Sequence, residues 1–216
     1  MITPTAIIFD YGNVLSEPQG DAEVQAMAAL LEMPKAEFLE KYWKHRLVYD
    51  QALLEPAEYW ETVAERALSA DEMIEISDLD GRSWSHPNQT MIRWAQMARE
   101  AGFKTAILSN IPTVVRDYVL GRKWLPKFDH GTYSCDLRIT KPAPEIYEHC
   151  LRGLGVLSSE TIFFDDRPAN VRAAEKLGIH AVLFSTPRQA ALDLRGRFVL
   201  PGRLIATLER DDEENQ

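Results

Sequence analysis

The chain has 216 residues, a formal net charge of −9, and 45% hydrophobic and 26% charged residues. This length suits one domain, or one domain with an insertion, and the composition is that of an ordinary globular protein. The acidic balance argues against nucleic acid and anionic membranes as partners, because such surfaces need clustered Lys and Arg.

The first predicted element is a short buried strand that ends at an acid. Ala6 to Phe9 form an apolar run of β-branched and aromatic residues. Asp10 follows this run directly, and a turn-forming pair, Gly12-Asn13, comes next. Taken alone, Asp10 is better explained as a turn acid than as a functional residue.

A helical segment is predicted between about Asp21 and Trp84. Its apolar residues keep helical spacing, and no strand-like run interrupts them. We expect a small all-helical insertion of about three to four helices. Asp71 is predicted to cap the last of them, and Asp80-Gly81 is predicted to mark a turn.

Two groups of side chains in this segment have more than one interpretation. The aromatic residues fall mostly at helical spacing, which favours a place in a core, although one or two can line a substrate mouth. They are Trp43, Tyr49, Tyr59, Trp60 and Trp84. Lys44, His45 and Arg46 are able to meet a polar leaving group, but we expect them to be solvated helix charges.

From Asn88 onward, predicted strands alternate with predicted helices. The strands are expected at residues 103–108, 128–134, 161–164 and 181–184. This alternation implies an α/β fold, with a parallel sheet and helices on both of its faces. The carboxyl ends of parallel strands meet at one edge of the sheet, so residues that follow different strands converge there.

Three polar groups follow predicted strands directly, and we expect them to converge at this edge: Asp10, Ser109-Asn110 and Asp165-Asp166. Lys141, which lies beside prolines at a predicted helix start, completes the set. A carboxylate can attack phosphorus and form an acyl phosphate if the repulsion between the two anions is removed. Mg²⁺ removes it and prefers carboxylate oxygens as ligands, while a lysine, a hydroxyl and free helix N–H groups can hold the phosphate oxygens. The set therefore indicates phosphoryl transfer.

Each member of the set also has a purely structural alternative. Ser109 or Asn110 can cap a helix that starts at Pro112. Asp166 can cap the helix that follows it. Lys141 can be a solvated loop lysine.

The same segments resemble the motifs of the haloacid dehalogenase superfamily of hydrolases, in the subgroup with a small helical cap inserted after the first strand. The resemblance covers essentially the whole chain. It rests on residues 8–15, 108–110, 141–147 and 163–170, which read IFDYGNVL, LSN, KPAPEIY and FFDDRPAN. The family implies a Rossmann-like core, an aspartyl-phosphate intermediate and Mg²⁺.

The resemblance implies a role for each residue of the set. Asp10 is expected to be the nucleophile and a metal ligand. Ser109 and Lys141 are expected to hold the phosphate, with Lys141 also counted as catalytic. Asn110 is expected to contact phosphate or substrate. At least one residue of the acidic pair is expected to bind Mg²⁺, and the sequence does not decide which.

Position 12 departs from the pattern of the family's phosphatases. Those phosphatases usually have a second aspartate at this position, which protonates the leaving group and later activates water. Gly12 keeps a backbone carbonyl for the metal but supplies no acid, and such catalysis contributes about 10²–10⁴-fold. Asp-x-Gly-Asn in this place resembles the sugar-1-phosphate phosphatases of the same fold, whose anomeric leaving group departs more easily than an ordinary alcohol.

These observations predict a Mg²⁺-dependent phosphatase acting on a small phosphorylated metabolite, with a sugar 1-phosphate as one candidate. We expect a catalytic core at 1–17 and 86–210, a helical cap at 18–85, and a disordered acidic tail at 211–216. Two alternatives stay open. One is a metal-independent 2-haloacid dehalogenase, which the adjacent acids disfavour, and the other is a phosphate-binding protein without turnover.

The sequence also bears on location and assembly. No apolar run approaches the roughly 20 residues that span a bilayer, and the N-terminus lacks the basic region of a signal peptide. Cys135 and Cys150 fit no metal or redox spacing, so we expect reduced thiols in a cytoplasmic protein. The oligomeric state is not set by the sequence, and a monomer is slightly favoured.

Overall fold

A five-stranded parallel sheet forms the centre of the computed structural model, which describes residues 1–210. The predicted acidic tail lies outside the described residues. The strands are β1 (Ala6–Phe9), β2 (Lys104–Ser109), β3 (His130–Tyr133), β4 (Thr161–Asp165) and β5 (His180–Leu183). Their spatial order is β3-β2-β1-β4-β5, with every neighbouring pair parallel. The predicted parallel α/β sheet is therefore confirmed.

The order of the strands places β1 in the middle of the sheet. Phe9 pairs with Ile107 of β2 on one side and with Phe164 of β4 on the other. All four residues of β1 are buried, as expected for a parallel strand covered on both faces. Asp10 therefore emerges between the carboxyl ends of β2 and β4.

A group of helices, here called the helical insertion, lies between β1 and β2 in the chain. Its members are α1 (Asp21–Leu30), α2 (Lys35–Lys44), α3 (Arg46–Asp50), α4 (Pro56–Ala64) and α5 (Ala70–Ser83). They pack around their own buried cluster, which includes Phe38, Tyr42 and Trp60. Five helices form in this described segment, so the predicted number of three to four is too low.

The remaining helices cover the two faces of the sheet. They are α6 (Gln89–Glu100), α7 (Thr113–Leu120), α8 (Ser134–Leu137), α9 (Pro144–Leu154), α10 (Pro168–Lys176), α11 (Pro187–Leu194) and α12 (Gly202–Glu209). Alternate residues of β1 belong to different cores: Ile7 and Phe9 lie in one cluster, and Ala6 and Ile8 in the other. α11 and α12 have no counterpart among the predicted elements. No helix in residues 1–210 combines the length and the apolar character needed to cross a membrane.

Helix α5 departs from prediction at both ends. Its first turn is capped by Ser69 rather than Asp71, because Ser69 and Glu72 exchange hydrogen bonds in a capping box. The predicted turn at Asp80-Gly81 is wrong, since both residues lie inside the helix. A Cβ at Gly81 would lie 2.5 Å from Cγ of Tyr118, so the glycine allows α5 to approach α7 closely.

The insertion encloses a buried ion-pair network. Arg46 is only 5% exposed, so the expectation of a solvated charge is wrong. Its Nε donates to Asp50 Oδ1 at 2.9 Å, and its Nη1 lies 3.0 Å from Asp80 Oδ2. The Tyr42 hydroxyl also donates to Asp80 at 2.8 Å. Two buried carboxylates thus share one guanidinium, which satisfies charges that burial would otherwise penalise.

Replacing Arg46 by Met tests this network. The substitution leaves Asp50 and Asp80 buried without their cation, so we expect the free energy of unfolding to fall by about 3 kcal/mol or more. The measurement is urea denaturation. The matched control is Arg82→Met, because Arg82 is exposed and its loss should change stability by less than about 1 kcal/mol. Equal losses for the two variants would contradict the account.

Candidate active site

A small cavity opens at the carboxyl edge of the sheet, beneath the helical insertion. Its volume is about 60 Å³, enough for roughly four water molecules. The strand edge supplies most of the predicted site residues. Those that line the cavity are Asp10, Gly12, Ser109, Asn110, Lys141 and Asp166. Asp165 is fully buried next to them and joins Asp10 and Asp166 in one acidic cluster.

Lys141 is the cation at the centre of the site. Its Nζ lies 2.8 Å from Asp10 Oδ1 and 2.7 Å from Asp165 Oδ2, and it donates to the Leu108 carbonyl at 2.8 Å. Lys141 is buried, so the alternative of a solvated loop lysine is wrong. Burial lowers its pKa, but the charges of Asp10 and Asp165 outweigh this effect and raise the pKa above the ordinary lysine value. The ammonium therefore stays charged.

Asp10 is the buried carboxylate that faces this cation. Its Oδ1 accepts from the backbone N–H of Tyr11 at 2.7 Å as well as from Lys141. Among the described residues, no donor bonds its Oδ2, which leaves that oxygen available to a ligand. Burial raises the pKa of Asp10 to about 7, against the opposing effect of Lys141 and with further upward shifts from Asp165 and Asp166.

The acidic cluster suits a hard divalent cation. One oxygen from each of Asp10, Asp165 and Asp166 lies within 4.8 Å of the others. Lys141 pairs with Asp10 and Asp165, and the negative charges of Asp165 and Asp166 add to burial in raising the pKa of Asp10. A cation with oxygen ligands would remove the repulsion, which is the chemistry that Mg²⁺ provides.

The two adjacent acids have different surroundings. Asp165 is fully buried, and both of its oxygens already accept hydrogen bonds from Lys141, Asn170 and the backbone of Arg167. Asp166 is half-buried and accepts at 2.8 Å from the Asn13 side chain through Oδ2. In the described part of the chain no donor reaches its Oδ1. Asp166 thus has more free capacity to bind a metal.

Two asparagines that were not predicted as site residues fix the orientation of these carboxylates by hydrogen bonds. Asn13 adopts a left-handed conformation with φ 59°, which asparagine tolerates better than most residues, and this places its amide against Asp166. Asn170, from α10, holds both oxygens of Asp165. The only signal for either residue is its place inside a motif, at the end of Asp-x-Gly-Asn or of Asp-Asp-Arg-Pro-Ala-Asn.

Ser109 and Asn110, at the end of β2, have different surroundings. Ser109 is buried and lines the cavity. The Asn110 amide accepts from the Lys141 backbone N–H at 2.8 Å and donates to the Lys141 carbonyl at 3.0 Å, so it fixes the main chain that carries the lysine. Neither residue caps α7, whose N-cap is Pro112. That structural alternative is wrong.

Asp166 likewise does not cap the following helix. The N-cap of α10 is Arg167, and no side chain caps this helix. The nearby backbone N–H of Arg167 is instead bound by Asp165 at 2.8 Å. The alternative of Asp166 as a helix cap is therefore also wrong.

The side chain of Trp84 packs closely against Gly12. The backbone conformation of Gly12, φ −64° and ψ 133°, is open to any residue. A Cβ there would lie 3.2 Å from Cζ3 of Trp84, which is tighter than normal packing. Trp84 is held in place by two hydrogen bonds. Its indole Nε1 donates to the Tyr42 hydroxyl, and its backbone carbonyl accepts from the Tyr11 hydroxyl. The space of the absent aspartate is thus occupied by an aromatic face.

The insertion supplies the opposite wall of the cavity. Trp43 and Trp84 line it, edge to face with ring centroids 6.3 Å apart. These are the two aromatic residues at the mouth, whereas Tyr49, Tyr59 and Trp60 are buried in the insertion core. Arg46 and Asp50 complete the wall. The sequence names Arg46 as a residue able to meet a leaving group, although a solvated charge is expected there, and it gives no signal for Asp50.

A family model for haloacid dehalogenase-like hydrolases matches residues 4–178. The chain therefore belongs to the haloacid dehalogenase-like hydrolase family. The resemblance of its motifs to this family is confirmed.

Two curated relatives show how far the similarity extends. The chain is 26% identical to a D-ribitol-5-phosphate phosphatase of Bacteroides thetaiotaomicron over 193 residues, which are 80% of this chain and 87% of that protein. It is 35% identical to mouse acyl-CoA dehydrogenase family member 10 over 109 residues, which are 48% of this chain. The match spans only 10% of the mouse protein.

Solved structures share the fold. One is a haloacid dehalogenase family enzyme of Bacteroides thetaiotaomicron in complex with magnesium and inorganic phosphate, with a TM-score of 0.68, 20% identity, and coverage of 86% of this chain and 95% of that one. An L-2-haloacid dehalogenase has a TM-score of 0.65, 21% identity and 86% coverage of both chains. Phosphate-bound and dehalogenase structures are thus both similar to this chain, so the fold does not choose between them.

The contact between position 12 and Trp84 can be tested by a double-mutant cycle. Gly12→Ala should lower the free energy of unfolding by about 1–3 kcal/mol, because the added methyl group overpacks against the indole. In the Trp84→Leu background the same substitution should cost less, with a coupling energy of at least about 0.5 kcal/mol in urea denaturation. An equal loss of stability in both backgrounds would show that the Trp84 ring is not what disfavours a side chain at position 12.

Proposed function

We propose that this protein is a Mg²⁺-dependent phosphatase that hydrolyses a small phosphorylated metabolite through an aspartyl-phosphate intermediate on Asp10. One observation carries the proposal. Three carboxylates cluster at the carboxyl edge of the sheet, and two of them, Asp10 and Asp165, pair with the buried Lys141. A dehalogenase needs the leading aspartate but has no use for a cation site beside it. The phosphatase relative and the magnesium and phosphate of a structural neighbour support the same choice.

The residues present fit a magnesium ion. Asp10, Asp166 and the carbonyl of Gly12 would hold it, with Asp165 placed behind them to fix Lys141 and the start of α10. When bound, Mg²⁺ would neutralise the negative charge that accumulates between the carboxylates and the phosphate.

The chain's own residues divide the remaining work. Asp10 attacks phosphorus through Oδ2, the oxygen that carries no hydrogen bond from the described residues. Lys141 and Ser109 hold phosphate oxygens, and the charge of Lys141 lowers the pKa of Asp10 against the effect of burial. The Asn110 amide keeps Lys141 in position, and this is how we place Asn110 in the substrate-binding set.

The helical insertion acts as a cap in this proposal. We assign 18–85 to the cap, and 1–17 with 86–210 to the catalytic core. The insertion covers the small cavity at the strand edge, and we expect it to move when substrate enters and product leaves. Trp43 and Trp84 then meet the leaving group, which suits a small polyol or sugar. Ribitol 5-phosphate and glucose 1-phosphate are the substrates to try first.

Replacing Asp10 by Asn tests the proposal. The natural protein should release phosphate from p-nitrophenyl phosphate and from glucose 1-phosphate or ribitol 5-phosphate in the presence of Mg²⁺. The variant lacks the nucleophile, so we expect phosphate release to fall at least about 1,000-fold. A chelator should abolish the activity of the natural protein, and excess Mg²⁺ should restore it.

Two results would contradict the proposal. Phosphate release that survives both the chelator and Asp10→Asn would rule out this site as its source. Chloride release from a 2-chloro acid without metal, in the absence of phosphatase activity, would make the protein a dehalogenase.

Magnesium binding should depend on pH in a direction set by Asp10. Its pKa of about 7 in the metal-free protein means that, below this pH, a proton occupies a metal ligand and must be displaced. We expect the affinity for Mg²⁺ to rise up to tenfold per pH unit between about pH 5 and 7, and to level off above about pH 8. Isothermal titration calorimetry in two buffers measures both the affinity and the released proton. The Asp10→Asn variant should lose this dependence; a natural protein with flat affinity over the range would contradict the assignment.

A further inference from the structure

Asp50 is a buried carboxylate of the helical insertion that faces the catalytic edge of the sheet. It ends α3, is 7% exposed, and lines the same cavity as Asp10 and Gly12. Its Oδ1 accepts from Arg46 Nε at 2.9 Å. Nothing within residues 1–210 donates to its Oδ2. One carboxyl oxygen is thus available to whatever occupies the cavity.

The end of α3 is anchored to the catalytic part of the chain. The backbone carbonyl of Asp50 accepts from Ser134 Oγ at 2.5 Å, and Gln51 Nε2 donates to Thr140 Oγ1 at 3.5 Å. Thr140 directly precedes Lys141. These bonds tie the end of α3, which carries Asp50, to the segment that carries Lys141. Asp50 and Asp10 line the same cavity, so an ester bound at Asp10 lies in the space that Asp50 borders.

The charges around Asp50 allow it to exchange a proton near neutral pH. The groups that act on it are Arg46 of its own helix, Asp80 of α5 and Arg167 at the start of α10. Burial raises the pKa of Asp50 to about 6, while Arg46 and Arg167 oppose the rise and Asp80 adds to it. General acid–base catalysts are most effective when their pKa lies close to the working pH.

We propose that Asp50 is the general acid and base of the reaction and supplies from the cap the function that Gly12 cannot. The proposal rests on the proposed phosphatase function. As Asp10 Oδ2 forms its bond to phosphorus, the bond from phosphorus to the ester oxygen breaks, and that oxygen takes the proton of the Asp50 carboxyl. In the second step, the Asp50 carboxylate takes a proton from water while the water oxygen bonds to phosphorus. The Asp10 carboxylate then leaves, and inorganic phosphate and protonated Asp50 remain.

The chain contains a matched control in Asp80. Both carboxylates are buried and bind the same guanidinium of Arg46, but Asp80 does not line the cavity. Substitution of either one removes a carboxylate from the Arg46 network. Only the substitution of Asp50 removes a carboxylate that lines the cavity.

The test compares leaving groups. Alkyl phosphates such as ribitol 5-phosphate need a proton on the departing oxygen, whereas p-nitrophenolate departs without one. For Asp50→Asn we expect kcat to fall about 100-fold or more on the alkyl phosphate and less than about 10-fold on p-nitrophenyl phosphate. The control, Asp80→Asn, should lower both rates by the same factor. Thermal unfolding of each variant shows whether it is folded.

The outcomes separate this inference from the proposed function. A natural protein that hydrolyses neither ester overturns both. A natural protein that is active, with Asp50→Asn lowering the two rates equally or changing neither, overturns only the role of Asp50. If Asp50→Asn does not fold, the role of a proton donor is tested on the natural protein, by measuring its rate on a series of aryl phosphates with different leaving-group pKa values. A rate nearly independent of leaving-group pKa supports a proton donor, and a steep dependence overturns it.

Discussion

The ammonium of Lys141 joins the ends of three neighbouring strands. It bonds to the Leu108 carbonyl of β2, to Asp10 after β1 and to Asp165 at the end of β4. A buried cation must be paired, and a buried carboxylate must be paired, so these groups stabilise one another only while the strand ends stay together. The chemistry of the site therefore depends on the parallel sheet, and the sheet edge depends in turn on the charges of the site.

The acidic cluster carries more negative charge than the one ammonium of Lys141 can neutralise. The surrounding residues bind some of these carboxylate oxygens and leave others free. Asp165 is satisfied by Asn170 and a backbone N–H, whereas Asp10 and Asp166 keep free oxygens toward the cavity. The helical insertion closes that cavity with two indole rings and the Arg46–Asp50 pair. The proposed nucleophile and metal ligands thus come from the strand edge, and the proposed proton donor comes from the helical insertion.

The sequence predicts those features that depend on local pattern or on a shared motif. The strands, their parallel arrangement and the convergence of Asp10, Ser109 and Asp165 follow from apolar runs and from the polar residues at their ends. Contacts between distant segments are beyond such patterns. Gly81 looks like a turn residue until Tyr118 is seen packed against it, and Gly12 looks like a lost function until Trp84 is seen in its place. Arg46 shares a helix with Asp50, but its burial depends on Asp80, which another helix supplies.

The central claim is that Asp10 forms a covalent bond to phosphorus. A crystal structure of the protein with Mg²⁺ and beryllium fluoride, which imitates a phosphoryl group bound to a carboxylate, tests this claim most directly. The account predicts beryllium bonded to Oδ2 of Asp10, with fluorides facing Ser109 and Lys141. Beryllium fluoride bound to another carboxylate, or lying in the cavity without a bond to Asp10, would contradict it.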